Sequence, residues 1–239
     1  MRETKGAQQG DMWIRNKVGR IGGSRLADVC SYLQRASGAK KAGDSSAARD
    51  KYKMELIAER LTGRMADHYT SPSMEWGIQM EDEAARFYET VMGEMVSPVN
   101  FVLHPNLDFA GCSPDRLVGS DGLLEIKCPD TVTHINYLMA GEVPQEYMPQ
   151  VAWELACTER KWADFVSYDP RIMDDNARFF YRRVTPADLI WLTWDKQEIK
   201  GEQVLAYFTD EAVKLEREIN DFMAERKLKP VAPFAVEWK

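Results

Sequence analysis

The 239-residue sequence has no uninterrupted run of about 18 apolar residues, the length that a membrane-spanning helix needs. Its first residues, Met1 to Gly6, lack the apolar core of a secretion signal. The four cysteines, at positions 30, 112, 128 and 157, form no Cys-x-x-Cys pair. We therefore expect a cytoplasmic protein whose cysteines are reduced core residues, with neither a membrane anchor nor an iron–sulfur cluster.

Basic residues are in the minority, since 31 Lys and Arg stand against 38 Asp and Glu and leave a formal net charge of −7. This balance by itself argues against a nucleic-acid-binding protein. However, residues 1–60 hold 13 of the basic residues and only 7 acidic ones. Such asymmetry suits an enzyme with a basic DNA-facing surface and an acidic exterior, although chance clustering on solvated helices would look the same.

The most informative stretch of the chain lies between Ser113 and Pro129 and reads Pro-Asp, a short spacer, then Glu-x-Lys. Asp115 and Glu125 offer carboxylate oxygens, the ligands that hard cations such as Mg²⁺ prefer. A bound cation activates a water and absorbs charge on a phosphate, and Lys127 can orient that water or neutralise the developing charge. The pattern indicates a Mg²⁺-dependent phosphodiester-cleaving site in which Mn²⁺ would substitute. An ordinary hairpin with a surface salt bridge is the alternative, because the motif is short.

The residues around this motif predict two neighbouring strands. Residues 107–112 and 123–128 are both apolar and strand-like, and a turn-rich spacer separates them. Side chains alternate faces along a strand, so Glu125 and Lys127 should share one face. We expect Asp115 at the end of the first strand, beside Glu125 on the second.

Hydrophobic spacing predicts further elements around these strands. The predicted helices cover 26–30, 51–61, 76–88, a segment from 147 onward and 205–228, and the further predicted strands cover 163–168 and 179–184. A polar loop is expected over 36–50. The chain is long enough for one α/β domain over 1–239, with a core at about 13–184 and a C-terminal helical extension at about 185–239.

Three flanking side chains are candidate ligands of the same site. Glu81 lies on the predicted helix 76–88, from which it can reach a cation, although pairing on the helix surface would also explain it. Ser24 follows a glycine-rich turn and would sit near a helix N-terminus, where free N–H groups attract phosphate. Gln150 falls in the first turn of the helix from 147. The sequence predicts no His–Asp pair that could activate Ser24 or Ser113 as a nucleophile. We therefore expect these serines to form hydrogen bonds rather than to attack the substrate.

In order and spacing, these segments resemble the lambda-exonuclease-like (YqaJ-type viral recombinase) nucleases over roughly residues 13–183. The blocks that carry the resemblance are Trp13 to Ser24, Trp76-Gly-x-Gln-x-Glu81, Cys112 to Asp115, Glu125 to Pro129, Tyr147-Met-x-Gln-Val151 and Tyr168 to Arg171. The resemblance implies a PD-(D/E)XK, restriction-endonuclease-like fold with a central mixed sheet flanked by helices. It also implies Mg²⁺-dependent 5′-to-3′ digestion of duplex DNA that leaves a 3′ single strand. A ring-shaped homotrimer and a single-strand annealing protein as partner are implied as well.

The same resemblance assigns roles to individual positions. Asp115 and Glu125 would bind metal through their side chains and Ile126 through its carbonyl, while Lys127 would be the catalytic lysine. The remaining implied substrate contacts are Ser24, Ser113 and Gln150 at the DNA 5′-phosphate, Lys17 and Arg20 as basic groups beside it, Met74 as an apolar wedge at the terminal base pair, and Trp13.

Two positions depart from the family pattern. Lys17 stands where the family has a phosphate-binding arginine, and lysine keeps the charge but loses the bidentate fork, so Arg15 and Arg20 are candidate substitutes. Pro105 stands where the family has a second aspartate ten residues before the Asp of Ser-Pro-Asp. The second metal site is therefore expected to be built differently, with Glu81 as the candidate.

Two alternative functions remain open from the sequence. One is a structure-specific or site-specific endonuclease on the same fold. The other is a non-catalytic DNA-end-binding protein or recombination mediator. The intact Asp115, Glu125 and Lys127 argue against the second, because DNA binding alone does not call for two acids beside phosphates.

Overall fold

A computed structural model of the chain describes residues 11–66 and 71–231, so both ends of the predicted 1–239 domain lie outside the described residues. The helices are α1 (Asp11–Lys17), α2 (Leu26–Val29), α3 (Ala47–Thr62), α4 (Pro72–Met92), α5 (Thr131–Ala140), α6 (Met148–Thr158) and α7 (Glu202–Glu225). The strands are β1 (Ile21–Gly22), β2 (Val96–Ser97), β3 (Val102–His104), β4 (Leu107–Cys112), β5 (Arg116–Val118), β6 (Gly122–Lys127), β7 (Trp162–Tyr168), β8 (Phe179–Val184), β9 (Ile190–Leu192) and β10 (Glu198–Lys200).

The centre of the fold is a five-stranded mixed sheet with the strand order β2-β5-β6-β7-β8. Strands β6 and β7 run parallel, with Glu125 opposite Phe165, and the other neighbouring pairs are antiparallel. On one face, Leu124 and Ile126 of β6 pack against Ala84 and Tyr88 of α4. The opposite face packs against α6. The predicted mixed sheet flanked by helices is confirmed.

Helix α7 packs its apolar face into the main hydrophobic core. Its buried side chains recur every three or four residues, which is the spacing of one helix face. They are Val204, Phe208, Ala212, Leu215, Ile219 and Met223. The same core cluster contains Leu123 and Phe165 of the central sheet and Trp153 of α6. The C-terminal helix therefore shares its core with the elements around the Glu-x-Lys motif.

A second, three-stranded sheet corrects one prediction. Strand β4 matches the predicted strand 107–112, but it does not neighbour β6; it lies between β1 and β3 in its own sheet. The neighbours of β6 are β7 and the short strand β5, which follows Asp115 directly. A three-residue strand is too short to show a periodicity, so the sequence did not indicate it. The parallel pairing of β1 with β4 brings the glycine-rich turn beside the Ser-Pro-Asp segment.

Several element boundaries also differ from prediction, most clearly the starts of α3 and α4. Helix α3 begins at Ala47 rather than 51, because Ser46 caps it by accepting a hydrogen bond from the Arg49 N–H, so the predicted loop 36–50 is shorter. Helix α4 begins at Pro72, four residues before Trp76, with Ser71 as its cap. Within the described residues, no helix combines the length and the apolar character needed to cross a membrane.

Gly111 in β4 is a position where only a glycine fits without rearrangement. A Cβ atom placed there would lie 2.4 Å from both Phe101 Cε1 and the Val102 carbonyl oxygen. We expect Gly111→Ala to lower the free energy of unfolding by about 1–3 kcal/mol, as overpacking does, in a urea titration.

Gly77 offers a matched control for this substitution. It lies inside α4, and outside the helix's own backbone a Cβ there would have no described atom within 4 Å. Gly77→Ala should raise the stability by about 0.5–1 kcal/mol, since alanine is the better helix former. Equal stability of Gly111→Ala and the unsubstituted protein would contradict the tight contact between β3 and β4.

Candidate active site

The two halves of the Pro-Asp and Glu-x-Lys motif meet at the β5–β6 pair. Arg116 lies opposite Leu124 in the antiparallel register, which places Asp115 beside the C-terminal half of β6. The Asp115 carboxylate oxygen Oδ2 accepts a hydrogen bond from the Ile126 N–H at 2.6 Å. Strand alternation places Glu125 and Lys127 on the same face, toward α6. The structure thus brings Asp115, Glu125 and Lys127 together, and their catalytic roles remain predictions.

Lys127 is a fixed positive charge within this group. Its Nζ donates to Glu125 Oε1 at 2.5 Å, approaches Gln150 Oε1 at 3.5 Å and lies 4.8 Å above the centre of the Tyr147 ring. Burial disfavours the charged form, but the negative charges of Glu125 and then Asp115 outweigh it and hold the pKa of Lys127 above its usual value. The side chain therefore stays protonated, which suits electrostatic stabilisation rather than a role as a base.

Gln150, in the first turn of α6, connects two buried glutamates. Its Nε2 donates to Glu125 Oε1 at 2.7 Å and to Glu154 Oε1 at 3.0 Å. Both carboxylates are 1% exposed. In the part of the chain that the structure describes, the second oxygen, Oε2, of each glutamate has no hydrogen-bond partner.

The site concentrates negative charge in a buried place. Burial raises the pKa of Asp115 well above its usual range, and the charges of Glu125 and then Glu81 raise it further. Burial likewise raises the pKa of Glu154, with Glu125 the next largest cause. Such shifts mark carboxyl groups that need a positive partner to ionise, and they are typical of functional sites.

The donor set fits a hard divalent cation. Within residues 11–66 and 71–231, no three His, Cys, Asp or Glu side chains already converge as a metal-binding group, and Lys127 contacts one oxygen of Glu125. The buried Oε2 of Glu125 nevertheless lacks a partner, and all the ligand atoms on offer are oxygens, which Mg²⁺ prefers. Asp115, Glu125 and the Ile126 carbonyl are the groups that could hold such an ion.

A cavity of about 180 Å³ opens beside the two acids and the lysine. Eight of the predicted site residues line it: Trp13, Lys17, Ser24, Ser113, Asp115, Glu125, Lys127 and Gln150. Helix α1 forms one wall, since the Trp13 Nε1–H donates to Ser113 Oγ at 2.8 Å and Lys17 Nζ lies 4.4 Å from the centre of the Trp13 ring. The structure therefore joins segments that are about a hundred residues apart in the sequence.

A second cavity, of about 450 Å³, adjoins the first and shares Lys17 and Ser24 with it. Arg20 and Met74 line this second cavity. The Arg20 guanidinium is buried and donates to the carbonyl oxygens of Asp108 and Asn16, each at 2.7 Å, so it ties the turn to its surroundings. Burial lowers the pKa of Lys17, and the charge of Glu59 partly offsets that effect.

Hydrogen bonds to two residues of α3 hold the turn that leads to Ser24. Gly19 has a φ of 71°, which favours glycine, and its N–H donates to Glu59 Oε2 at 2.7 Å. The Arg60 Nε–H donates to the Gly19 carbonyl oxygen at 3.0 Å. Arg60 in turn forms a two-pronged ion pair with Glu216 of α7, at 2.9 and 2.6 Å. Helices α3 and α7 thus fix the backbone from which Lys17 and Ser24 extend.

Glu81 lies near the site but is engaged elsewhere. Its Oε1 accepts from Arg116 Nη1 at 2.5 Å, and it does not line the smaller cavity. Burial raises the pKa of Glu81 even though Arg116 opposes the shift. A metal-binding role for Glu81 stays a prediction, and it would have to compete with this ion pair.

The sequence reasoning missed two side chains of the site, Glu154 and Arg116. Glu154 follows Gln150 by four residues, so both lie on one face of α6, and this spacing was the available signal. Arg116 directly follows Asp115, but nothing in the sequence pairs it with Glu81.

Comparison with known proteins identifies the family and the fold of the chain. Residues 12–161 match the YqaJ-like viral recombinase domain family. No curated protein matches the chain. Among solved structures, it is similar to an alkaline exonuclease from Laribacter hongkongensis, with 32% identity over 91% of this chain and 96% of that one and a TM-score of 0.74.

Two further structures extend the comparison. The same Laribacter enzyme in complex with dAMP matches with 32% identity over 91% of this chain and 98% of that one, at a TM-score of 0.73. A phage-related exonuclease from Haemophilus somnus 129PT shares the fold at 12% identity, covering 87% of this chain and 96% of that one, with a TM-score of 0.61. The matched family domain spans both halves of the Pro-Asp and Glu-x-Lys motif. The chain therefore belongs to the YqaJ-like viral recombinase family.

Proposed function

We propose that this protein is a Mg²⁺-dependent exonuclease that digests one strand of linear double-stranded DNA from its 5′ end. The product would be a duplex with a 3′ single-stranded overhang, the substrate for recombination by strand annealing. Family membership and the similarity to an alkaline exonuclease support nuclease chemistry. The observation that carries the proposal is the grouping of Asp115, Glu125 and Lys127 around one polar cavity, with Lys127 paired to the buried Glu125.

Each residue of this group has a chemical task in the proposal. A Mg²⁺ ion, when bound, supplies an activated water and stabilises charge on the phosphate. Asp115, Glu125 and the Ile126 carbonyl would hold it. Lys127, kept protonated by its acidic neighbours, would stabilise the negative charge that develops on the phosphate oxygens. Gln150 fixes the orientation of Glu125 through its 2.7 Å hydrogen bond.

The hydroxyl and basic side chains of the same cavity suit the 5′-phosphate of the DNA. Ser24 and Ser113 offer hydroxyl groups and Lys17 offers an ammonium, and all three line the cavity. The complex of a relative with dAMP supports a cavity of this kind as a nucleotide site. Met74 is 53% exposed at the edge of the adjoining cavity, which suits an apolar wedge at the terminal base pair. In this arrangement the phosphate would keep the enzyme in register after each cut.

We further propose a ring-shaped homotrimer, a single-strand annealing protein as partner and action in the cytoplasm of a bacterial host. Membership of the viral recombinase family supports these three statements. A closed ring would explain processive digestion, because release then requires threading off the DNA end. Light scattering coupled to size exclusion would give three times the 27.4 kDa chain mass for a trimer.

The proposed activity is tested with a linear duplex that carries distinct labels on its two strands, with or without a 5′-phosphate. In Mg²⁺ we expect mononucleotides to be released from the 5′ end of a strand while the strand paired with it at that end stays intact, and no release in EDTA. The 5′-phosphorylated duplex should be digested faster, because Lys17, Ser24 and Ser113 would bind the phosphate.

Covalently closed circular DNA serves as the control substrate. An exonuclease leaves it intact, so its cleavage would favour a structure-specific endonuclease of the same fold. Binding of DNA ends without any release of nucleotides in Mg²⁺ or Mn²⁺ would favour a non-catalytic mediator and refute the proposal.

A further inference from the structure

Glu154 is a buried acid that the proposed chemistry leaves without a task. Its side chain is 1% exposed, and it lines the cavity that holds Asp115, Glu125 and Lys127. Its Oε1 accepts a hydrogen bond from Gln150 Nε2 at 3.0 Å. Its Oε2 has no partner among the residues that the structure describes. A buried carboxylate oxygen without a partner is costly, so its position calls for a ligand.

Glu125 has the same property on the same cavity. Its Oε2 is buried and lacks a partner within the described ranges, while its Oε1 already accepts from Lys127 and Gln150. One amide nitrogen, Gln150 Nε2, lies within 3.0 Å of both glutamates, so the two carboxylates are close neighbours. Two glutamates that line one cavity, each with one buried oxygen that lacks a donor among the described residues, match the needs of a hard cation better than those of an anion.

Glu81 is the other nearby acid, and it is less suited to complete the site. Glu81 is held by Arg116 at 2.5 Å and does not line the cavity. Glu154 needs no displacement of an ion pair to offer Oε2, and α6 places it one turn beyond Gln150.

We propose that Glu154 is a carboxylate ligand of the divalent cation site, beside Asp115 and Glu125. The proposal rests on the proposed Mg²⁺-dependent function. It assigns the cation three acids from separate elements, namely Asp115 before β5, Glu125 on β6 and Glu154 on α6. A bound ion would draw their oxygens closer together, since among the described residues no three acids already converge. Glu81 then keeps its ion pair with Arg116 and orders the Asp115 segment from outside the cavity.

The test measures Mn²⁺ binding to the DNA-free protein by isothermal titration calorimetry. We expect Glu154→Gln to weaken Mn²⁺ binding by roughly 10- to 100-fold, the loss that follows from removing a group that orders or completes a metal site. Glutamine preserves the shape of the side chain and its contact with Gln150. Glu142→Gln is the matched control, because Glu142 is exposed in the loop before α6, and it should bind Mn²⁺ as the unsubstituted protein does.

Asp115→Asn separates failure of this proposal from failure of the proposed function. If Asp115→Asn loses Mn²⁺ binding while Glu154→Gln retains it in full, the role of Glu154 is refuted and the proposed nuclease stands. If the unsubstituted protein binds no Mn²⁺ and needs none for cleavage, both proposals fall. Circular dichroism melts check folding, and if Glu154→Gln does not fold, Glu154→Met carries the same expectation with the oxygens removed.

Discussion

We expect Lys127→Ala to lower the rate of DNA cleavage by about 10²- to 10³-fold, the usual cost of removing one preorganised charge from a transition state. Lys127 is the protonated group that contacts both Glu125 and Gln150 inside the cavity, so alanine leaves the developing phosphate charge without its ammonium. Single-turnover cleavage of a 5′-phosphorylated duplex in Mg²⁺ measures the effect. Binding of the duplex should persist, because Lys17, Ser24 and Ser113 also line the cavity and are left unchanged.

Lys161→Ala provides the matched control for the loss of one positive charge. Lys161 is exposed and pairs with Asp121 at 2.8 Å in a loop at the opposite end of β6 from Lys127. The Lys161→Ala substitution should leave the rate of DNA cleavage unchanged. A fully active Lys127→Ala protein would refute the role assigned to the ammonium. A Lys127→Ala protein that no longer binds DNA would show instead that the lysine orders the cavity.

Asp115→Asn should abolish cleavage and at the same time stabilise the protein in EDTA. The loss of a metal-binding carboxylate removes several kcal/mol of transition-state stabilisation, or about 10³-fold in rate. The asparagine carbonyl can still accept the hydrogen bond from the Ile126 N–H that Asp115 accepts at 2.6 Å. What disappears is a buried negative charge beside Glu125, which without a cation is unfavourable.

The stabilisation should depend on pH in a defined direction. An aspartate in the unfolded chain ionises near pH 4, whereas burial and the neighbouring acids raise the pKa of folded Asp115 well above that value. Between the two pKa values the unfolded state binds fewer protons, so the free energy of unfolding falls as the pH rises. Asparagine removes this contribution, and thermal melts in EDTA from about pH 5 to about pH 8 should show a smaller loss of stability for the variant.

Addition of Mg²⁺ completes the comparison. The cation should raise the melting temperature of the unsubstituted protein and have little effect on Asp115→Asn, because a ligand that binds the folded state stabilises it. An Asp115→Asn protein that melts below the unsubstituted protein at pH 8 in EDTA would contradict the unfavourable buried charge.

The local geometry of the motif follows from the sequence, while its assembly does not. The alternation of Glu125 and Lys127 on one strand face depends on a period of two residues, and β6 follows the predicted bounds within one residue. The position of Asp115 depends on β5, a three-residue strand that no periodicity reveals. The assignment of β4 to a different sheet depends on its pairing with β1, a contact between residues some 90 positions apart.

The electrostatic part of the site is also beyond sequence reasoning. Glu81 and Glu154 both lie on helices near a motif block. Their positions in the sequence do not show which of the two can bind a cation. The fold does, because Arg116 engages Glu81 whereas Glu154 Oε2 has no partner in the described part of the chain. The hydrogen-bond partners of each carboxylate oxygen come from other elements of the fold. They are known only once the chain is folded.

The ion pair between Arg60 and Glu216 has a practical consequence for anyone who shortens or fuses this protein at its C-terminal side. Deleting α7 would remove Glu216, the ion-pair partner of Arg60. Because Arg60 also donates to the Gly19 carbonyl, the turn that leads to Ser24 would then be held less firmly. Damage to the proposed recognition of DNA ends would then arise from a cut made far along the polypeptide. A tag or fusion partner should accordingly be joined beyond Glu225, leaving the whole of α7 in place.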